Sequence, residues 1–464
     1  MTAIERLRAR TVTGSGLQPL RILAASGQVG YGIPELAFNT GLARDPHMIG
    51  ADMGSTDPGP YYLGSGRMAQ SEMMTRLDLA KILAGARRLN VPLLIGTAGT
   101  AGAAPHLDAT LDLVREVSRD LGLHFRLVSI AADIPRELIK TAIRAGAVEP
   151  LGEISPLDER EVDGAAHIVG QMGMEAFARA LEAGADVVIA GRACDTAIFA
   201  TIPMMLGYPV GLAMHMARIV ECTSLCCVPG GRDAVLATLD EDGFIIDSMN
   251  PARHATPMSV AAHSLYEQAD PNVVFEPEGA LYIGDACYEA VDEHRTRVTG
   301  SRWQPSAQLT VKIEGAARVG ERAVLLCGSA DPRVIAGVRQ ILQDVEKNVR
   351  AVMPDSTPYQ VIWRVYGIDG VFPWPELPDP LPREVFIMGE FIADSADHAK
   401  AISTVAKQYL LHHGFPGRLS TSGNIAFPFT PPEVSAGTAY RFNIYHVMQT
   451  QALEPLFPLR IDDI

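Results

Sequence analysis

The stretch ADVVIAGRACDTAIFA, residues 185–200, reads as a buried strand that runs directly into a helix. Between them sit Gly191, Arg192, Ala193, Cys194, Asp195 and Thr196, which put a cation, a thiol and a carboxylate in one short turn. Such a turn can be a redox site, a ligand-binding turn or a helix cap. The same pattern recurs through the first half of the chain. A short apolar run ends in small residues and an amphipathic stretch follows: LRILAASGQVGYG, HMIGADMGSTDPGP, VPLLIGTAGTAGA, HFRLVSIAADIP, AVEPLGEIS and ADVVIAGRACD each lead into a helical segment. Six strand–helix units in series imply a mostly parallel sheet with helices packed on it. Their continuous apolar runs fit strands covered on both faces. Asn90, Gly122, Gly146 and Gly184 end the helical stretches, as C-terminal caps do. Six units fall short of the eight that a closed (β/α)8 barrel needs. The expected fold is therefore α/β, an open and doubly wound sheet over residues 1–225 with Gly-rich, Rossmann-like strand-end loops.

After residue 225 the rhythm changes. DAVLATLDEDGFIIDSMN reads as a hairpin with Asp-Gly at its turn, and TPMSVAAHSLYEQ as a helix behind a Thr cap. Strands such as QLTVKIEG and REVFIMGEFIAD alternate with two long helices, so residues 226–464 are expected to form an α+β domain.

The 464 residues suggest two or three domains, and 47% hydrophobic with 20% charged residues is a globular composition. A net charge of −15 disfavours nucleic acid, because no basic stripe is left to neutralise phosphates. No apolar run reaches the length of a membrane span, and MTAIERLRARTVTG lacks the apolar core of a signal peptide. Six cysteines in a chain of this size are not a disulfide framework. A cytoplasmic setting is expected.

In parallel α/β sheets ligands bind outside the carboxyl ends of the strands. The strand ends here carry Ser26 and Gly27; Asp52, Ser55, Thr56 and Asp57; Thr97 and Thr100; and Arg192 and Asp195. SGQVGYG is Gly-rich like a phosphate turn but is not GxGxxG, and GTAGTAG has no Walker lysine. It either cradles an anion or lets a helix pack closely on the strand. Asp52 and Asp57 lie in a Gly/Pro-rich loop, where they serve turn chemistry or act as a general base or hard-cation ligand. Asp195 is placed to cap the following helix, and Arg192 to hold a carboxylate in its fork. Cys194, near a helix start and an Arg, is expected to have a lowered thiol pKa, but no CxxC partner follows. Cys222, Cys226 and Cys227 lack the nearby ligands that zinc needs. His215 and Glu221 are six residues apart, about 120° off one helical face, and both reach a crevice if the helix ends between them. Near the C-terminus, Ser422 and Asn424 sit in a long irregular loop that lines a site or makes a subunit contact.

ADVVIAGRACDTA, MHMARIVECTSLCC, TPMSVAAHSLYEQADP and HHGFPGRLSTSGNIAFPFTPPE together resemble the acyclic terpene utilisation protein A family, over about residues 20–450. Members continue after Glu-Cys with Gly, Ala and Thr-Gly-Gly, whereas this chain reads Thr-Ser-Leu-Cys-Cys before Pro229. The resemblance implies a role in bacterial catabolism of branched acids and their CoA thioesters.

The expected activity is that of a hydro-lyase, a hydratase or dehydratase acting on a small carboxylate or its CoA thioester. Asp52, Asp57, Asp195, Glu221 and His215 are the candidate acid–base groups. Ser26, Gly27, Ser55, Thr56, Thr97, Thr100, Arg192 and Asn424 are the candidate substrate contacts. A Mg2+ ion among the carboxylates is compatible with these residues. Two alternatives stand beside this reading. One is a metal- or Asp-assisted hydrolase of an amide, lactone or thioester, since no G-x-S-x-G elbow is present. The other is a non-catalytic ligand-binding or scaffold subunit. The expected assembly is a homo-oligomer, with a small partner protein as a further possibility.

Overall fold

A computed structural model describes residues 2–14, 16–353, 358–418 and 424–464. The chain forms two compact units: residues 1–317 with 442–464, and residues 318–441. Ser422, named above, lies outside the described residues.

The centre of the first unit is a parallel array of five strands: β1 (Leu20–Ser26), β2 (Met48–Asp52), β3 (Leu93–Gly96), β4 (Arg126–Ile130) and β5 (Val187–Ala190), in spatial order β1-β2-β3-β5-β4. Strand residues alternate between two helical layers, as the two-residue period of a strand requires. Leu23, Ile49, Leu93 and Ile95 face one layer, with α1 (Glu72–Leu89), α2 (Ala104–Leu121) and the helix Glu35–Ala43. Ile22, Met48, Leu94 and Val188 face the other, with the helix Met174–Glu182, α3 (Asp195–Leu206) and α4 (Val210–Val220). Each fully buried Leu or Ile contributes about 1.5–3 kcal/mol, and both faces are covered. The sheet is therefore open and doubly wound, as the sequence pattern implies.

The α1 and α2 helices end at Asn90 (φ 54°) and Gly122 (φ 61°), left-handed caps at the expected places. The Asp-Gly hairpin forms β6 (Val235–Leu239) and β7 (Gly243–Ser248), with Leu239 opposite Phe244. β6 adds antiparallel to β1, so this hairpin extends the same ten-stranded sheet. The boundary expected near residue 225 thus falls inside the first unit. The last strand, Leu459–Asp463, pairs antiparallel with β4.

One of the six expected strand–helix units differs, in both its strand and its helix. Val148–Pro150 is a strand, but it pairs with His446–Met448 outside the parallel sheet. The segment after it, expected as one long helix, contains the strand Ala165–Gly170, paired antiparallel with Ile313–Ala317. That partner lies far away in sequence, so no local periodicity signals it.

The second unit is α+β, as expected. Glu321–Ser329 pairs with Val385–Ala393, and Gln360–Tyr366 pairs on the other side of that strand. The helices Pro332–Val352 and Ala396–His412 contribute Val338, Ile341 and Ile402 to one core with Leu325, Ile387 and Phe391.

Candidate functional site

The carboxyl ends of β1 and β2, the start of α3 and the segment after α4 converge on one pocket of about 210 Å3 in the first unit. This is below the size of drug-like pockets, about 300–1,000 Å3, and fits a small molecule. Backbone meets backbone at its walls. A side chain on Gly27 would sit 2.8 Å from the Glu221 carbonyl oxygen, and one on Gly54 would sit 2.4 Å from the Thr100 carbonyl oxygen. Glycine at these two positions lets the strand ends close on each other. Thr223, a β-branched residue in the pocket wall, is held at φ 53°. Such strain costs of order 1–3 kcal/mol and clusters at functional sites.

Three carboxyls dominate the interior. Asp52 ends β2, and its Oδ2 accepts the Gly54 N–H at 3.0 Å. Glu221 caps the end of α4, and its Oε1 accepts from Arg218 Nη1 at 2.8 Å. Asp195 is the first residue of α3. Asp52 Oδ1, Asp195 Oδ1 and Glu221 Oε2 are buried without a hydrogen-bond partner among the described residues. Burial, helped by the Asp195 charge and opposed by Arg192, holds the Asp52 pKa well above the carboxylate range. Burial likewise holds Glu221 well above it, against Arg218 and with Asp195 and Glu276 adding to the rise. Asp195 is raised by burial to about 6, with Arg192 and Arg218 pulling the other way. Ser26, Gly27, Ser55 and Asp57 also line the pocket. The Ser55 hydroxyl donates to Asp57 Oδ2 at 2.9 Å and accepts the Asp57 N–H at 3.2 Å.

Other residues singled out from the sequence lie elsewhere. Cys194, not Asp195, is the N-cap of α3, and no side chain caps that helix. The Cys194 thiol sits 2.8 Å from Glu276 Oε2, and burial beside that carboxylate raises its pKa instead of lowering it. Arg192 is buried behind the pocket. Its Nε donates to Glu314 Oε2 at 2.8 Å, and Nη1 donates to the Ala193 carbonyl. Lys312 and Thr56 occupy Glu314 Oε1, each at 2.8 Å, and the two cations hold the Glu314 pKa down at about 2 despite burial. Arg192 is thus committed to a fully buried ion pair and is not offered to a ligand.

Thr97 bonds the backbone of Ala193, and Thr100 bonds Ala69 and Gln70. His215 is buried inside α4, with Ser301 Oγ at 2.6 Å and Ser264 Oγ at 2.9 Å. Burial lowers its pKa to about 3, which leaves it neutral. Helix α4 continues unbroken between His215 and Val220, so His215 and Glu221 do not share the pocket wall. Asn424 belongs to the second unit, where its backbone carbonyl accepts from Ser329 Oγ at 2.6 Å.

The two Gly-rich turns have internal partners. In SGQVGYG and the residue after it, the N–H groups of Gly30, Gly32 and Ile33 all donate to the buried Asp78 carboxylate of α1, at 2.8–2.9 Å. A side chain of the protein fills the anion nest that a phosphate would take. In GTAGTAG, the Thr97 and Ala98 N–H groups bond the Gly191 and Ala190 carbonyls, so that turn packs strands together. Asp78 carries no sequence signal of this role, because it sits in an ordinary amphipathic helix. The pocket-lining Arg232, in CVPGGRD, was also not singled out from the sequence.

Residues 76–209 match the family model described as acyclic terpene utilisation family protein AtuA. The resemblance read from the sequence to this family holds over that stretch, which runs from α1 to just past α3. It includes Thr97, Thr100, Arg192 and Asp195, while Ser26, Asp52, Glu221 and Arg232 lie outside it. No curated protein and no solved structure matches the chain significantly. Among the described residues, no group of three or more His, Cys, Asp or Glu side chains is placed to hold a metal ion. Among them, too, no helix is long and apolar enough to cross a membrane.

Proposed function

We propose that this pocket is the catalytic site of a catabolic hydro-lyase that adds or removes water beside the carbonyl of a small carboxylate or its CoA thioester. One observation carries the reading: Asp52, Asp195 and Glu221 line one small pocket and each keeps a buried oxygen without a partner. An unsatisfied buried polar atom costs about 1–3 kcal/mol, so three in one pocket call for a functional explanation. Their protonation states differ in the way acid–base chemistry needs. With a pKa of about 6, Asp195 is mostly ionised at neutral pH and serves as the base. Burial pushes Asp52 and Glu221 well above the usual range, which favours their protonated forms and suits them to donate protons. Titratable neighbours whose environments push their pKa values apart mark acid and base roles.

In the dehydration direction, Asp195 takes the proton from the carbon next to the carbonyl. The freed electron pair forms the carbon–carbon double bond and the hydroxyl leaves. One protonated carboxyl gives that hydroxyl its proton and releases water, while the other hydrogen-bonds the carbonyl oxygen on which charge develops. The similarity to a family named for terpene utilisation supports a catabolic setting.

The test is hydration of 2-enoic acids and their CoA thioesters, followed by loss of the conjugated absorbance. Asp195→Asn and Glu221→Gln are expected to lower kcat by about 100-fold or more with an unchanged circular dichroism spectrum. Full activity in both variants would remove the assignment.

A further inference from the structure

We infer that Arg232 is the residue that selects the substrate: it anchors the free carboxylate of a small acid at the mouth of the pocket. Arg232 is the one cationic side chain that lines the pocket among the described residues, and it has no ion pair or hydrogen bond there. Its guanidinium lies 5.6 Å from the centre of the Tyr31 ring. A ring face holds a guanidinium while leaving its in-plane N–H fork open, and that fork matches a carboxylate.

The surrounding chain fixes both members of this pair. On the Arg232 side, the buried Ser224 accepts the Gly231 N–H through its carbonyl and the Asp233 N–H through its hydroxyl. Arg253 donates to the Pro229 and Gly230 carbonyls and to the Asp233 carboxylate, closing the turn from below. On the Tyr31 side, the Asp78 carboxylate holds Gly30, Gly32 and Ile33. Two separately pinned turns therefore present one unpaired guanidinium. Fixed backbone on both sides narrows the positions the guanidinium can take, which lowers the ordering cost of binding.

Charge supports the same orientation. At the inner end, burial pushes the Asp52 and Glu221 carboxyls well above the usual range, which favours their uncharged forms. A substrate with its carboxylate on Arg232 directs its hydroxyl-bearing end to those carboxyls. A pocket of about 210 Å3 limits the acid to a small one. This selects the free acid over the CoA thioester, and it rests on the pocket being the hydro-lyase site.

The experiment measures binding by titration calorimetry, with crotonate and 3-hydroxybutanoate as probes and their methyl esters as controls. Wild type, Arg232→Gln, Arg232→Lys and Asp195→Asn are compared. Wild type is expected to prefer the acids to the esters. Arg232→Gln is expected to weaken the acids by about 10- to 100-fold, the loss of a charge-assisted contact, and to leave the esters unchanged. Arg232→Lys keeps the charge, loses the fork and falls between. In turnover, the Arg232 variants should raise KM more than they lower kcat. Equal acid binding by Arg232→Gln and wild type overturns the inference, as does a parallel loss for acids and esters or the absence of acid binding to wild type. The catalytic reading fails separately: acids then bind in an Arg232-dependent way while neither wild type nor Asp195→Asn turns them over.

Discussion

Replacing Asp195 with Asn is expected to make the protein more stable while it loses activity. Asp195 begins α3, lies near Arg192 and Arg218 and still has its pKa raised from 3.8 to about 6, because burial outweighs both cations. Arg192 spends its charge on Glu314, and Arg218 turns its Nη1 to Glu221 Oε1. At about 1.4 kcal/mol per pKa unit, ionised Asp195 costs the folded state about 3 kcal/mol. Its residue is partly exposed, and solvent screening brings that to about 1–3 kcal/mol. The sign follows from proton binding. Between pH 3.8 and about 6 the folded chain holds more protons at this site than the unfolded chain. Wild-type stability from this group therefore rises as pH falls through 6, and the penalty is complete above it. Asparagine carries no such penalty. The melting temperature of Asp195→Asn at pH 8 should rise by roughly 2–12 °C, at about 2–4 °C per kcal/mol as in domains of about 150–250 residues. At pH 4 about a fifth of the gain should remain, by the same linkage. Scanning fluorimetry at the two pH values measures this. A variant less stable than wild type at pH 8 would mean that Asp195 is a structural partner of Arg192, and the argument from an unsatisfied functional carboxyl would fall.

Two further outcomes follow from the walls of the site. Glu314→Gln leaves Arg192 buried without its main counter-charge, and urea unfolding should show a loss of about 3–5 kcal/mol at pH 7. Glu314 is held down at about 2 from 4.5, so its contribution is complete above pH 4.5 and is lost towards pH 2; the deficit of the variant should shrink over that window. An undiminished deficit at pH 2 would remove the charge explanation. Gly54→Ala drives a methyl group into the Thr100 backbone at 2.4 Å, which should cost about 1–3 kcal/mol and lower kcat by separating Asp52 from Asp195. Wild-type stability and kcat together would show that the strand ends can part freely.

Apolar runs broken by small residues marked all five parallel strands, because a strand buried on both faces has to be apolar throughout. Helix ends were legible for the same local reason: Asn90 and Gly122 take left-handed conformations that other residues avoid. The strand Ala165–Gly170 was not legible, since its hydrogen bonds go to Ile313–Ala317. Of the site, Ser26, Gly27, Asp52, Ser55, Asp57, Asp195 and Glu221 could be picked from the sequence because they fall at strand or helix ends, where the fold class puts ligands.

Which of two arginines faces the pocket was a tertiary decision. Arg192 sits in the turn at 191–196 that marks the fold, yet Glu314, more than a hundred residues away, takes its charge. Arg232 lies in an unremarked Pro-Gly-Gly turn, and only Ser224, Arg253 and Tyr31 bring it to the mouth. The same holds for the Gly-rich loop at residues 26–32, whose open donors are filled by Asp78. The sequence by itself determined the doubly wound sheet and the edge on which its polar strand ends gather, because period and turn residues are local properties. The protonation of the carboxyls, and the choice of the cation left free, depend on burial and on partners distant in sequence, and only the folded chain decides those.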